Sequence, residues 1–332
     1  MVCNPCHTAG NFFFLIQNRR IGYARTVHFN NQRNLNHHYR VYGLDITSEL
    51  ELPELAPAGP FQEDVIIRFG EVPEHLPEVR GSGVLFEATT NDFLFKFKGI
   101  GRYRVQDGNR ILIQADKGAH PEEIRLVLLG SCIGALLHQR GMLALHGSAI
   151  TDGHQTAILS GPSGAGKSTL AATFFELGYS VIADDISVIG YNEKQQFIVE
   201  HGIPHLKLWK DVLVHFNHSD EFAKVRPRLE KYKKPIPLLE ERAKPLTMMV
   251  ILNPSNSRDF KYTEIRGLAK FHQLRDHTYR LQFIDKLDQT EAHFRNLSLL
   301  VNSIQMFQAN RPQNLQEVVE FAENMAEFIF KA

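Results

Sequence analysis

A glycine-rich octapeptide between an apolar run and a helical pattern constrains this chain more than any other feature. Residues 161–168 read GPSGAGKS and match the pattern G-x-x-x-x-G-K-[ST]. The apolar run TAILSG leads into the octapeptide, and a helix is predicted to follow from about residue 167 to residue 177, where Gly178 ends it. A strand, a glycine-rich turn and a helix in this order predict an α/β core.

The side chains of the octapeptide fit the binding of a nucleotide with Mg²⁺. Glycines let the backbone approach phosphate oxygens without a Cβ in the way, and the helix N-terminus attracts an anion. Lys167 is expected to reach the β- and γ-phosphates, and Ser168 to hold Mg²⁺. The predicted nucleotide-binding residues are Gly161, Ser163, Gly164, Ala165, Gly166, Lys167, Ser168 and Thr169. A glycine-rich turn without a ligand is the alternative interpretation.

Two adjacent carboxylates, Asp184 and Asp185, end the next predicted strand in the stretch VIADD. One carboxylate at a strand end beside such a loop is the usual support for Mg²⁺, so the second carboxylate is free for another role. Because successive side chains of an extended chain point different ways, one Asp can serve the metal while the other faces an incoming hydroxyl. The alternative is that one of them caps the following turn.

The spacing of these motifs resembles the HPr kinase/phosphorylase superfamily. The shared elements are His146 with its following glycine, the loop at residues 161–168, Gly178, and the triplet ADD that contains Asp184 and Asp185. The resemblance implies a fold akin to phosphoenolpyruvate carboxykinase, an Asp pair that supplies the general base and Mg²⁺ support, and His146 close by to tune or share the proton. Taken alone, His146 on an apolar strand would more often be a core residue. Which Asp is the base stays open, with a slight preference for Asp185.

A longer and softer resemblance links most of residues 39–310 to HPr-kinase-like proteins of peptide-biosynthesis clusters. It is carried by YGLDITSELELPEL, DVIIRFGEVP, LALHGSAI, LKLW and RPRLEKY. Some of those kinases phosphorylate the C-terminal serine of lasso-peptide precursors. Thr169 stands where the bifunctional enzymes carry Glu, and their E-[IV]-R-G signature is missing. Both departures count against HPr as the substrate, against the phosphorylase reaction and against hexameric assembly.

Four segments are predicted along the chain. Residues 1–38 contain no Asp or Glu and are predicted to be a disordered basic tail, in which the haem-like spacing CNPCH is interpreted as a chance match. Residues 39–119 form a β-rich domain with a hairpin signal at Asp107-Gly108, residues 120–311 the catalytic domain, and residues 312–332 a C-terminal helix. A helix is expected from Pro121 to Gly141, and others near residues 290–308 and 313–330.

Composition narrows the classes of partner. Lys and Arg together number 37, as do Asp and Glu, and this balance argues against nucleic acid as the main partner. The longest apolar run, residues 126–137, is too short to span a membrane. Three cysteines favour a reducing cytoplasm.

The basic stretch KVRPRLEKYKKPIP offers Arg226, Arg228 and Lys231 as phosphate or substrate contacts, with a solvated basic loop as the alternative.

The sequence therefore predicts a cytoplasmic α/β kinase that uses ATP and Mg²⁺ to phosphorylate a serine hydroxyl of a peptide, most favourably the C-terminal serine of a lasso-peptide precursor. Asp185, Asp184, His146 and Lys167 are the predicted catalytic residues, and Ser168 and Asp184 the predicted metal ligands. Its partners would be the nucleotide and the peptide. Two alternatives stay open: a kinase of a small hydroxyl metabolite such as free serine, and a nucleotide-dependent regulator without kinase activity.

Overall fold

The computed structural model describes residues 37–59, 62–218, 222–226, 229–239, 243–256 and 260–331. The predicted tail with its CNPCH stretch, apart from residues 37 and 38, lies outside the described residues, and so does Arg228. The α-helices are α1 (Pro121–Val127), α2 (Ile133–Gln139), α3 (Lys167–Glu176), α4 (Lys210–His215), α5 (Leu268–Asp276), α6 (Thr290–Ser303) and α7 (Val318–Phe330). The strands are β1 (His37–Val41), β2 (Leu44–Ser48), β3 (Val65–Phe69), β4 (Gly81–Gly83), β5 (Phe86–Ala88), β6 (Asp92–Phe97), β7 (Gly101–Gln106), β8 (Arg110–Ala115), β9 (Leu143–Leu145), β10 (Gly147–Thr151), β11 (Thr156–Ser160), β12 (Ser180–Ala183), β13 (Ser187–Tyr191), β14 (Phe197–Val199), β15 (His205–Trp209), β16 (Lys231–Pro235), β17 (Leu246–Ser255), β18 (Tyr262–Glu264) and β19 (Gln305–Pro312).

The first eight strands form one sheet in the order β1-β2-β3-β8-β7-β6-β5-β4. Strand β7 alternates buried and half-buried residues along its length, because neighbouring side chains of a strand point to opposite faces. The predicted hairpin at Asp107-Gly108 is confirmed: β7 and β8 pair antiparallel, and both turn residues have positive φ. Such a two-residue turn matches the twist of the strands that it joins.

A helical segment packs behind this sheet and leads to the remaining strands. It was predicted as one helix, and the structure divides it into α1, a π-helical turn at Leu128–Cys132, and α2. Pro121 occupies the first turn, with Glu122 and Glu123 beside it, as the helix dipole favours. The segment is buried along most of α2, so it joins the core of the eight-stranded sheet.

A second sheet has the order β12-β10-β11-β17-β19-β18 and carries the glycine-rich loop. Strands β11, β17 and β19 run parallel, so their carboxyl ends meet at one edge. Helix α3 begins at that edge directly after the loop and packs against α7, with Leu170, Phe174 and Phe321 fully buried in the shared core. The predicted order of strand, glycine-rich loop and helix is confirmed, and the whole is a mixed α/β fold with several sheets.

The helix predicted near residues 290–308 was wrong over its last five residues. Helix α6 ends at Ser303, and Gln305–Pro312 is strand β19, which pairs residue by residue with β17 and with β18. Pairing with a buried central strand outweighs local propensity here, since Met306 and Ala309 become fully buried. The last helix, predicted over residues 312–332, is confined to α7, after a 3₁₀ turn at Leu315–Glu317.

Two small sheets complete the fold. One joins β14, β13 and β9, and the other is the antiparallel hairpin of β15 and β16. Leu206 and Leu208 of β15 are buried in the core shared with α3, so the alternate residues Lys207 and Trp209 point away from it. Among the described residues, no helix combines the length and apolarity that crossing a bilayer requires.

Candidate functional site

The glycine-rich loop connects the carboxyl end of β11 to the first turn of α3. Gly166 has φ 85°, and a Cβ there would lie 2.5 Å from the guanidinium carbon of Arg311, so only glycine fits. Lys167 curls back over the loop, where its ammonium donates to the carbonyls of Gly161 (2.9 Å) and Pro162 (3.0 Å). The first backbone N–H groups of α3 have no intrahelical acceptor, which makes this end of the helix attractive to an anion.

Asp184 is buried beside the start of α3 and is held by three donors. Its Oδ1 accepts from the hydroxyls of Ser148 (2.7 Å) and Ser168 (2.9 Å), and its Oδ2 accepts from the backbone N–H of Lys207 (3.0 Å). These bonds fix the carboxylate next to the Ser168 side chain that was predicted to hold Mg²⁺. Ser148 had not been singled out from the sequence, although it lies two residues after His146.

Asp185 faces the same cavity as Asp184. Strand β12 ends at Ala183, and Asp185 has φ 74°, so the pair is not part of an extended strand whose side chains point opposite ways. An Asp tolerates the left-handed region better than most residues do. The sequence left open that one Asp of the pair takes part in the following turn. In the structure this turn brings the carboxylate of Asp185 to the cavity.

A lysine ammonium and an imidazole lie beside the Asp185 carboxylate. The Lys207 ammonium donates to Oδ2 at 2.8 Å, and Nδ1 of His146 lies 3.4 Å from Oδ1 and 2.9 Å from the backbone carbonyl of Asp185. Burial acts to raise the pKa of Asp185, but the charge and hydrogen bond of Lys207, together with the charges of His146 and Lys231, lower it to about 2. Asp185 is thus a fixed carboxylate anion at neutral pH.

His146 lies between β9 and β10, where the structure interrupts what the sequence predicted as one strand. Its backbone N–H donates to the carbonyl of His277 (2.7 Å), and its carbonyl accepts from the hydroxyl of Ser160 (2.7 Å). Both neighbours restrain the backbone that presents the imidazole to Asp185. The structure places Nδ1 of His146 3.4 Å from the Asp185 carboxylate, and the role of His146 stays a prediction.

These groups share one cavity of about 320 Å³. Its lining combines the loop, the Asp pair, the hairpin of β15 and β16, and the segment after β19. The lining residues are His146, Ser163, Gly164, Gly166, Lys167, Ser168, Thr169, Asp184, Asp185, Lys207, Trp209, Asp211, Val212, Lys231, Arg311, Gln313 and Leu315.

Two of the three basic candidates can be placed. Lys231, at the start of β16, lines the cavity, whereas Arg226 is exposed and does not. Lys207 lines the cavity as well, and the sequence analysis did not single it out. Its signal was weak, because LKLW reads as an ordinary half-buried strand.

Arg311 is the most informative residue that the sequence analysis missed. It lies near the carboxyl end of β19, is 6% exposed, and packs its guanidinium against Gly166. Its Nε is buried without a hydrogen-bond acceptor among the described residues, and burial lowers its pKa, although a guanidinium stays charged at neutral pH. The residue escaped notice because the preceding residues were predicted to be helical, which hides a strand end beside the loop.

The residues present fit a magnesium ion next to the loop. Ser168 and Asp184 offer two oxygen atoms 2.9 Å apart, and Mg²⁺ takes few protein ligands because it keeps water and phosphate oxygens in its shell. No group of three or more His, Cys, Asp or Glu side chains able to hold a metal occurs in the described part of the chain. A cation here would therefore depend on a bound phosphate for part of its coordination.

The chain is similar in part to solved structures, and one of them illustrates the extent of the likeness. The HPr(Ser) kinase/phosphatase from Coxiella burnetii matches at 11% sequence identity and a TM-score of 0.27, over 57% of this chain and 99% of that chain. No protein-family model matches the chain, and no curated protein matches it either. A likeness of this size carries no argument about function, which has to come from the geometry of the cavity.

Proposed function

We propose that this protein is an HPr-kinase-like P-loop enzyme of the cytoplasm that transfers the γ-phosphoryl group of ATP, with Mg²⁺, to a serine hydroxyl of a peptide. The C-terminal serine of a lasso-peptide precursor is the acceptor that the sequence resemblance favours. The observation that carries the proposal is the presence of Asp185, as an ionised carboxylate, in the same cavity as Lys167 and the glycine-rich loop.

The loop side of the cavity would bind the triphosphate. Lys167 lines the cavity and donates to the loop carbonyls of Gly161 and Pro162, and a phosphate oxygen would be a stronger partner for its ammonium. Arg311 brings a second buried cation to the same loop, with an unsatisfied N–H. Ser168 and Asp184 would hold Mg²⁺, which neutralises charge on the phosphates when bound.

The Asp185 side would receive the acceptor. In the transfer, the hydroxyl oxygen forms a bond to the γ-phosphorus, the bond from phosphorus to the β,γ-bridging oxygen breaks, and ADP leaves. The hydroxyl proton would pass to the Asp185 carboxylate, which the Lys207 ammonium holds and which lies 3.4 Å from Nδ1 of His146. A base with a low pKa suits this chemistry. In a loose transition state the hydroxyl has to be oriented toward the phosphorus, and its proton can leave late.

The test is phosphoryl transfer from ATP to serine-containing peptides, read as a mass gain of one phosphoryl group. Asp185→Asn should lower kcat by about 100- to 10,000-fold, the range of a general base, while ATP affinity measured by calorimetry persists. The matched control is Asp276→Asn, which changes an exposed carboxylate at the end of α5 and should leave kcat unaltered.

Three results would contradict the proposal. Unchanged kcat in the Asp185→Asn variant would remove the base. Competition in which free serine outperforms every peptide would identify a metabolite kinase. Tight ATP binding without turnover on any acceptor would identify a nucleotide-dependent regulator.

A further inference from the structure

The lysines of the β15–β16 hairpin differ in one respect. Three of them pair with a carboxylate: Lys207 with Asp185, Lys233 with Glu54 and Lys234 with Glu176. Lys231 has no carboxylate partner in the part of the chain that the structure describes, yet it lines the cavity, as Lys207 does. A cation without a partner next to a cavity is a candidate for binding an anion.

The environment of Lys231 holds its ammonium toward the cavity. Lys231 and Trp209 are directly opposite each other in the hairpin, and the ammonium lies 5.6 Å from the centroid of the Trp209 ring. An aromatic face attracts a cation and limits the positions that a flexible lysine occupies. Burial is the largest influence on the pKa of both Asp185 and Lys167, and the charge of Lys231 makes a smaller contribution that lowers the pKa of each. Lys231 is therefore electrostatically part of the reacting centre.

Among the described residues, none pairs a carboxylate with Lys231. Lys207 already balances Asp185, and Lys167 together with Arg311 serves the loop side, where the triphosphate would lie. Trp209 is 49% exposed, which is high for the largest apolar side chain on a cavity rim. An occupant that covers the indole and presents a negative charge to Lys231 would satisfy both residues at once.

We propose that Lys231 and Trp209 form a subsite for a negatively charged group that the acceptor carries beside its reactive hydroxyl. On a serine-terminated peptide this group is the terminal carboxylate, and the preceding residues of the peptide lie along the indole. The inference rests on the proposed function, because it assigns the charge to the acceptor of that reaction. It excludes the nucleotide as the main ligand of Lys231.

Trp209 provides a direct readout, since it is the sole tryptophan of the chain. A tryptophan-free synthetic peptide ending in serine is prepared as the free acid and as the carboxamide, and each is titrated against Trp209 fluorescence in the presence of Mg²⁺ and ADP. The free acid should bind about 10- to 100-fold more tightly than the amide, the worth of one hydrogen bond to a charged group. Lys231→Met should bring the two affinities together, and Lys231→Arg should keep them apart.

The matched control is Arg226→Met, which removes an exposed cation close in sequence that does not line the cavity. It should leave the preference for the acid unchanged. In transfer assays, Lys231→Met should raise KM for the acid peptide, with KM for ATP unaltered.

Two outcomes would overturn the inference. One is a wild-type protein that binds acid and amide equally. The other is a Lys231→Met protein that keeps the acid preference and loses affinity for ATP, which would assign Lys231 to the nucleotide. If the acid binds preferentially at Trp209 and no phosphoryl group is transferred to it, the subsite stands and the kinase proposal falls.

Discussion

The two sides of the cavity are built on different principles. The loop wall, defined as residues 161–168 with Asp184 and Asp185, is fixed by short hydrogen bonds to backbone and hydroxyl groups. The hairpin wall, defined as β15 and β16, presents a half-exposed indole and a lysine without a carboxylate partner among the described residues. In our proposal the loop wall binds the nucleotide, and the hairpin wall binds the acceptor through Trp209 and Lys231.

This difference suits a phosphotransferase. Phosphoryl transfer is accelerated mainly by positioning and by charge, so the groups that touch the phosphates gain from being held rigidly before substrate binds. Specificity for the acceptor is a difference between affinities, and it requires side chains whose best partner is the acceptor itself. The predictions below test each wall in turn.

Replacing Arg311, which packs against Gly166 of the loop wall, should lower the affinity for ATP. Arg311→Met keeps the aliphatic packing against Gly166 but removes the guanidinium with its unsatisfied Nε. We expect the Kd for MgATP, measured by calorimetry, to rise about 10- to 100-fold, the worth of a hydrogen bond between charged groups. The acid preference of the hairpin wall should be unchanged.

Arg311→Lys is the control for this prediction. It restores the charge without the planar fork, so it should recover part of the affinity. An ATP affinity that stays within about twofold of wild type in both variants would make Arg311 a packing residue of the loop and would weaken the contrast between the two walls.

The sequence predicted the loop wall far better than the hairpin wall. The loop, Lys167, Ser168 and the Asp pair lie within one short segment whose spacing carries the chemistry, so pattern reasoning reached them. The positive φ of Asp185 escaped prediction, because an Asp pair at a strand end reads as extended in the sequence. Local pattern identified the residues and tertiary structure decided which way they point.

The hairpin wall depends on pairing between distant segments. Trp209 and Lys231 become neighbours only because β15 and β16 pair across more than twenty residues of intervening chain. No local period in the sequence reports such a pairing. The same reason hid Arg311, which reaches the loop only through the pairing of β19 with β17.

The buried carboxylate of Glu54 pairs with the hairpin wall, and its replacement should show how much this pairing contributes to the free energy of unfolding. Glu54 is 6% exposed in its side chain and accepts from Lys233 of β16 (2.8 Å) and Arg125 of α1 (3.0 Å). Glu54→Gln leaves two cations facing a neutral group, and we expect the free energy of unfolding in urea to fall by about 2 kcal/mol.

Glu122→Gln is the matched control, because Glu122 approaches the same Arg125 at 3.9 Å while half exposed. Its loss should change the free energy of unfolding by less than about 0.5 kcal/mol. Equal effects of the two variants would mean that the ion pair of Glu54 and Lys233 does not hold the hairpin, and that its buried apolar face does.

The last expected effect concerns acid, and it acts on the hairpin wall through His205 of β15. His205 of β15 is buried, and burial, followed by the charges of Lys207 and Lys233, lowers its pKa to about 3. An unfolded chain binds a proton at this residue below a pH of about 6.5, whereas the folded chain does so only near pH 3. The contribution of His205 to stability is therefore complete above pH 6.5 and declines as the pH falls toward 3. Between pH 7 and pH 5 this decline amounts to roughly 2 kcal/mol.

His205→Asn removes the titration, so the free energy of unfolding of this variant should fall less than that of wild type over this interval, whatever its value at pH 7. Parallel curves for the two proteins would show that the acid sensitivity lies elsewhere, for example at the buried His138, whose pKa burial also lowers, to about 4.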